Sequence, residues 1–105
     1  MNEKLGEVMV DDQPVAVNLN TAGRRFEIVV GPDAAYLSYA LDGDVLSLLH
    51  TEVPTTLRGK KLADVLARTA LDYARAHARK VEAHCPFVEG YIARHAEYAD
   101  LTATA

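Results

Sequence analysis

From Arg58 to Ala78 the apolar residues recur every three or four positions, whereas on both sides of that stretch they recur every second one. Leu62, Val65/Leu66, Thr69/Ala70 and Tyr73/Ala74 form the apolar stripe of an amphipathic helix, and Arg68, Asp72, Arg75 and Arg79 lie largely on its other side. Alternation then returns from Lys80 to Cys85, with Val81, Ala83 and Cys85 on one face and Lys80, Glu82 and His84 on the other. A strand–helix–strand order of this length joins two parallel strands by a right-handed crossover. That single switch of period narrows the fold to a sheet containing a βαβ unit.

Ahead of the switch the chain reads as an antiparallel meander. Val15, Val17 and Leu19 alternate with Ala16, Asn18 and Asn20, and Asn20 to Gly23 makes a turn. Phe26, Ile28 and Val30 give a second strand, stopped by Gly31-Pro32. Ala35 to Leu41 is a third. Asp42-Gly43 is a two-residue hairpin signal leading into a fourth strand, from Asp44 to about Val53. After Cys85, Pro86 suits the first position of a helix, with Val88, Tyr91, Ile92 and His95 as its stripe. The tail from Leu101 to Ala105 is expected to fray. The expectation is an α+β fold, one domain over residues 1–105, with an antiparallel N-terminal meander, a βαβ unit and a C-terminal helix.

Composition limits the function classes. The 105 residues suffice for one core, and a chain half hydrophobic and one quarter charged is ordinary for a soluble globular domain. A net charge of −4 lacks the basic excess of a nucleic-acid binder. With a single cysteine no intrachain disulfide can form, which fits a reducing, cytoplasmic setting. The first residues contain no apolar signal segment, and no run approaches the roughly 20 apolar residues of a membrane span. No nucleic-acid or membrane partner is expected.

Against that acidic background Arg58, Lys60 and Lys61 surround Gly59 just where the helix starts. A helix N-terminus carries about half a positive charge, so each cation there is disfavoured by about 0.3–1 kcal/mol unless solvent or a ligand compensates. An anion docked on the free backbone N–H groups would compensate all three. A sheet of this kind takes ligands beyond the carboxyl ends of its strands, here Val53 and Cys85. The spacing matches neither a Walker loop nor a dinucleotide fingerprint.

Other candidates are few. His50 and Glu52 lie two apart on one strand and share a face, Glu52 suited to a general base and His50 to orienting or shuttling a proton. Cys85 precedes a helix start, which favours the thiolate, although a free cysteine is more often inert core. No metal site is expected: the His50–Glu52 segment converges only two ligands, and no Cys/His pair at zinc spacing completes them. Tyr91 and Tyr98 read as core or rim aromatics, and Arg94-His95 as partners for the carbonyls ending the last helix.

The ordered set His50-Thr51-Glu52-Val53-Pro54, Leu57-Arg58-Gly59-Lys60, His84-Cys85-Pro86-Phe87-Val88, Tyr91-Ile92, Arg94-His95 and Tyr98 resembles the short GNAT-like N-acetyltransferases of the GNAT superfamily. The likeness also reaches Arg25-Phe26-Glu27 and Tyr39. It implies binding of acetyl-coenzyme A. In that superfamily the strand before the long helix pairs its backbone with the pantetheine arm, here Leu49–Val53. The following loop cradles the pyrophosphate, here Leu57, Arg58, Gly59, Lys60, Lys61 and Leu62. Cys85 occupies the position that lies near the thioester in the short members. Two positions depart from the usual loop, Gln/Arg-x-x-Gly-x-Gly/Ala: Thr56 stands at its first position and Lys61 at its last.

The resemblance therefore implies acetyl transfer to an amine, whether on a protein, a polyamine or a small metabolite. Glu52 would be the base, and Cys85 either an acid for the departing thiolate or a nucleophile. Two alternatives stay open, a coenzyme A-binding module without catalysis and an interaction domain for an acidic or phosphorylated partner.

Overall fold

Four hairpins and one crossover build the sheet of the described residues. In the computed structural model, which describes residues 2–102, strands β1 (Asn2–Val10), β2 (Gln13–Asn20), β3 (Arg25–Val30), β4 (Asp33–Asp42) and β5 (Val45–Glu52) pair antiparallel in chain order. Two-residue loops at Asp11-Asp12, Gly31-Pro32 and Gly43-Asp44 close three of these pairs, each beginning with a left-handed residue. Helix α1 (Leu62–Ala76) then carries the chain to β6 (Lys80–Ala83), which pairs parallel with β5. Helix α2 (Pro86–Arg94) and a 3₁₀ segment (Ala96–Leu101) follow. The meander, the parallel pair and the C-terminal helix stand as the sequence predicts.

Three details differ. β1 lies ahead of the first expected strand. It is an outer strand, mostly exposed, and a register shift between Lys4 and Gly6 breaks its alternation, so no period-two signal survives. Helix α1 starts at Leu62 rather than Arg58, because Gly59 (φ +82°) and Lys61 (φ +61°) are left-handed and cannot continue a helix. The tail is anchored further than expected. Leu101 is buried, Thr102 bridges to Val81, Tyr98 Oη donates to Asp72 Oδ1 at 2.7 Å and Arg75 bonds Asp100 and the Glu97 carbonyl. Residues 103–105 of that expected fraying end lie outside the described residues.

The core has two layers. Val17, Leu19, Phe26, Ile28, Leu37, Leu46, Leu48 and Val81 project from one sheet face onto Leu62, Leu66, Ala70, Leu71 and Ala74 of α1 and Val88 and Tyr91 of α2. Asp72–Tyr98 and Asp64–Arg94 contacts tie α1 to the C-terminal segment beside it. By register, Asn18, Asn20, Arg25, Glu27, Tyr36, Ser38, His50 and Glu52 occupy the opposite face, which no described helix covers.

Candidate functional site

The sheet parts at one place. β5 and β6 pair from Val45–Lys80 to Leu48–Ala83, and the N–H groups of His84 and Cys85 both turn in to the Leu48 carbonyl at 2.9 and 3.2 Å. β6 ends there, while β5 continues to Glu52 against β4 alone. A bulge helps it turn away: Ser38 and Tyr39 on β4 face His50 and Leu48, leaving Leu49 without an opposite residue. Beyond Leu48 the β6-facing edge of β5 has no strand partner among the described residues.

Cys85 sits in this gap. Its thiol is buried, lies 3.3 Å from Thr51 Oγ1 and is at the N-cap of α2. Burial pushes the thiol pKa up, but the Thr51 hydroxyl and the backbone N–H groups of Val88, Phe87 and Thr51 favour the thiolate and leave the pKa below its ordinary value. In the sequence Thr51 enters only within the His50–Pro54 motif and the Leu49–Val53 strand, with no link to the Cys85 thiol. The alternation does point it at the helix side, opposite to His50 and Glu52.

Beside the gap opens a cleft of about 450 Å³ lined by Val53, Leu57, Arg58, Gly59, Lys61 and Leu62, together with Ala63, Asp64 and Phe87. Six of the seven residues expected to hold the cofactor thus share one cleft. Its wall is the start of α1. Lys61 supplies no side-chain cap and the first helical bond runs from Val65 N to Lys61 O at 3.2 Å, so the N–H groups of Leu62, Ala63 and Asp64 have no partner in the helix. Arg58 is steadied by Nε donating to the Val53 carbonyl at 3.1 Å. Lys60 is the seventh, and its ammonium is held by Asp11 of the β1–β2 turn at 2.8 Å. Asp64 carries no sequence signal, since one carboxylate in a helix's first turn is unremarkable capping; Phe87 enters there only within the His84–Val88 motif, with no role of its own.

Backbone geometry explains why Gly59 is a glycine. Its φ of +82° is the reason, for a Cβ there would meet no atom within 4 Å. Lys61 adopts the same left-handed region without that freedom, at a cost of about 1–2 kcal/mol. Lys61→Gly is therefore expected to raise unfolding stability by about 1 kcal/mol, or about 4–8 °C in Tm, in a urea or thermal melt. An equal gain from Lys61→Ala would show that charge, not conformation, is responsible.

His50 and Glu52 face the other way. His50 Nε2 lies 3.2 Å from Glu52 Oε1, with the two side chains 61% and 46% exposed. The three expected catalytic residues are thus split, Cys85 on the helix side and the His50–Glu52 pair on the open side. The parting of β5 from β6 past Leu48 lies between them. A second groove of about 330 Å³, between β1–β2 and α1, contains none of the expected residues.

Residues 25–101 match the sequence profile of the GCN5-related N-acetyl-transferase family. Protein NATD1 of Mus musculus is 32% identical over 82 residues, spanning 75% of this chain and 74% of its own. Protein NATD1 of Homo sapiens is likewise 32% identical, spanning 75% and 73%. The solution structure of a GCN5-like putative N-acetyltransferase from Staphylococcus aureus superposes with a TM-score of 0.64 over 98% of this chain and 92% of that one, at 19% identity. With a βαβ unit that parts at its carboxyl end, a basic cleft there and a profile match over most of its length, the chain belongs to the GCN5-related N-acetyltransferase family.

Proposed function

We propose that the chain transfers the acetyl group of acetyl-coenzyme A to an amine. The observation that carries this reading is the unpaired β5 edge running into the basic cleft at the start of α1. An anion seated on the free N–H groups of Leu62, Ala63 and Asp64, with Arg58 and Lys61 beside it, accounts for cations where the helix dipole disfavours them. An amide-bearing arm laid along the β5 edge would carry a thioester from that cleft toward Cys85. Asp64 works against the anion and limits affinity.

In the reaction the amine nitrogen attacks the thioester carbonyl carbon, and backbone N–H groups of the β5 edge stabilise the oxyanion. Glu52, hydrogen-bonded to His50, takes the proton from the nitrogen, directly or through one water. The carbon–sulfur bond then breaks, and the departing thiolate takes a proton from the Cys85 thiol. Thr51 and the α2 N–H groups stabilise the thiolate that remains on Cys85.

Calorimetry with acetyl-coenzyme A tests the binding half. Saturable heat is expected, with affinity falling about tenfold in Arg58→Ala. Absence of heat in the unaltered protein sinks the reading and favours the interaction-domain alternative. Intact-mass measurement after incubation separates the roles of Cys85: a labile gain of one acetyl group, lost in Cys85→Ser, makes it a nucleophile instead of an acid. Coenzyme A binding without acetylation of any amine in a broad panel would leave a binding module.

A further inference from the structure

The open sheet face holds one buried charge. Glu27 is only 4% exposed although no helix covers its face, and it is the one charged residue buried among those described. Its two carboxylate oxygens are both used, Oε2 accepting from Arg25 Nε at 2.8 Å and Oε1 from Asn20 Nδ2 at 3.3 Å. Only the carboxylate is buried, since the Arg25 side chain remains 36% exposed, and a partly exposed pair of this kind adds little net stability. What it does is clamp the guanidinium of Arg25, whose central carbon lies over the Tyr36 ring, 4.7 Å from its centroid. The clamp uses Nε alone, and the terminal nitrogens of Arg25 make no hydrogen bond with any described residue.

Cross-strand register places this held cation in line with the expected base. Arg25, Ser38 and His50 are directly opposed on β3, β4 and β5, and Glu27, Tyr36 and Glu52 form the adjacent row. Tyr36 meets Arg25 on one side and the His50 ring edge-on at 6.3 Å on the other. Two strand spacings, about 9–10 Å, separate the backbones of Arg25 and His50. A fixed positive fork and a carboxylate–imidazole pair thus flank one aromatic ring beside the gap where the two sheet faces meet.

We infer that this row is the acceptor site and that it selects amines carrying a carboxylate. The acceptor's carboxylate is taken by the terminal nitrogens of Arg25, its carbon chain crosses Tyr36, and its amine reaches His50 and Glu52. The acceptor is accordingly a small amino acid-like compound rather than a simple amine. The catalytic part of this inference rests on the transferase reading above; the binding part does not.

Matched pairs that differ only by the carboxylate test it: lysine against cadaverine, and γ-aminobutyrate against propylamine. Amide chemical shifts in the protein without coenzyme A are expected to move at residues 25–27, 36–38 and 50–52 with the carboxylated member, about tenfold more tightly than with its partner. In Arg25→Gln that preference should disappear, and Glu27→Gln should weaken it by freeing the guanidinium. Retained coenzyme A binding in both variants reports intact folding. In turnover, the kcat/KM ratio of lysine to cadaverine should fall from about ten or more toward one in Arg25→Gln. Equal binding of the members of each pair, or shifts confined to other faces, overturns the inference. Selective lysine binding without acetylation upholds this site and counts against the transferase reading instead.

Discussion

Glu52→Gln is expected to lower kcat for amine acetylation by about 10²–10⁴, the usual loss when a positioned general base is removed. Glutamine keeps the shape of the side chain and a partner for His50 at the 3.2 Å contact, but cannot take the proton. The cleft at Leu57–Leu62 lies on the other side of the gap, so acetyl-coenzyme A affinity should stay within a few-fold. Steady-state kinetics paired with calorimetry checks both halves. His50→Gln should cost less, since His50 acts through Glu52. Turnover undiminished in Glu52→Gln would remove Glu52 from the mechanism, and a parallel loss of coenzyme A binding would point to misfolding rather than chemistry.

Phe26→Ala is expected to lower unfolding stability by about 3–5 kcal/mol, enough to unfold much of a domain whose total is about 5–15 kcal/mol. Phe26 is fully buried, its ring 5.3 Å from Tyr39 and 5.7 Å from Tyr73, where β3, β4 and α1 meet. Losing it leaves a cavity and strands two half-buried tyrosines. A urea titration reads the loss as a lower midpoint at unchanged slope. A loss under about 1 kcal/mol would mean that the site collapses around the missing ring. Because Arg25 and Glu27 flank Phe26 on the same strand, core packing here also sets the geometry of the open face.

Much of the fold was legible because each periodic signal was backed by burial on one face. Val17 and Leu19, Phe26 and Ile28, and Leu46 and Leu48 alternate in the chain and fill one core. β1 was not legible. A register shift and an exposed outer position erase the alternation on which such a reading depends. The helix start was misplaced for a related reason, because a stripe of Leu and Val residues does not reveal where the backbone turns left-handed. Leu101 reads as a fraying end in the sequence because its anchors, Tyr98 on Asp72 and Arg75 on Asp100, are pairs more than twenty residues apart.

The candidate site shows the same division. Residue types and local order alone marked the cation cluster around Gly59, the thiol before Pro86 and the His50–Glu52 pair, since each signal lies within a few consecutive residues. Tertiary structure decided which of them act together. It turned Lys60 to Asp11, set Thr51 against the Cys85 sulfur and split Cys85 from Glu52 across the sheet. It also brought Arg25 into line with His50. Spacing along a strand settles which face a side chain takes. Where strands part, bulge or pair is a property of partners distant in the chain, and that pairing made the gap in which the two faces meet.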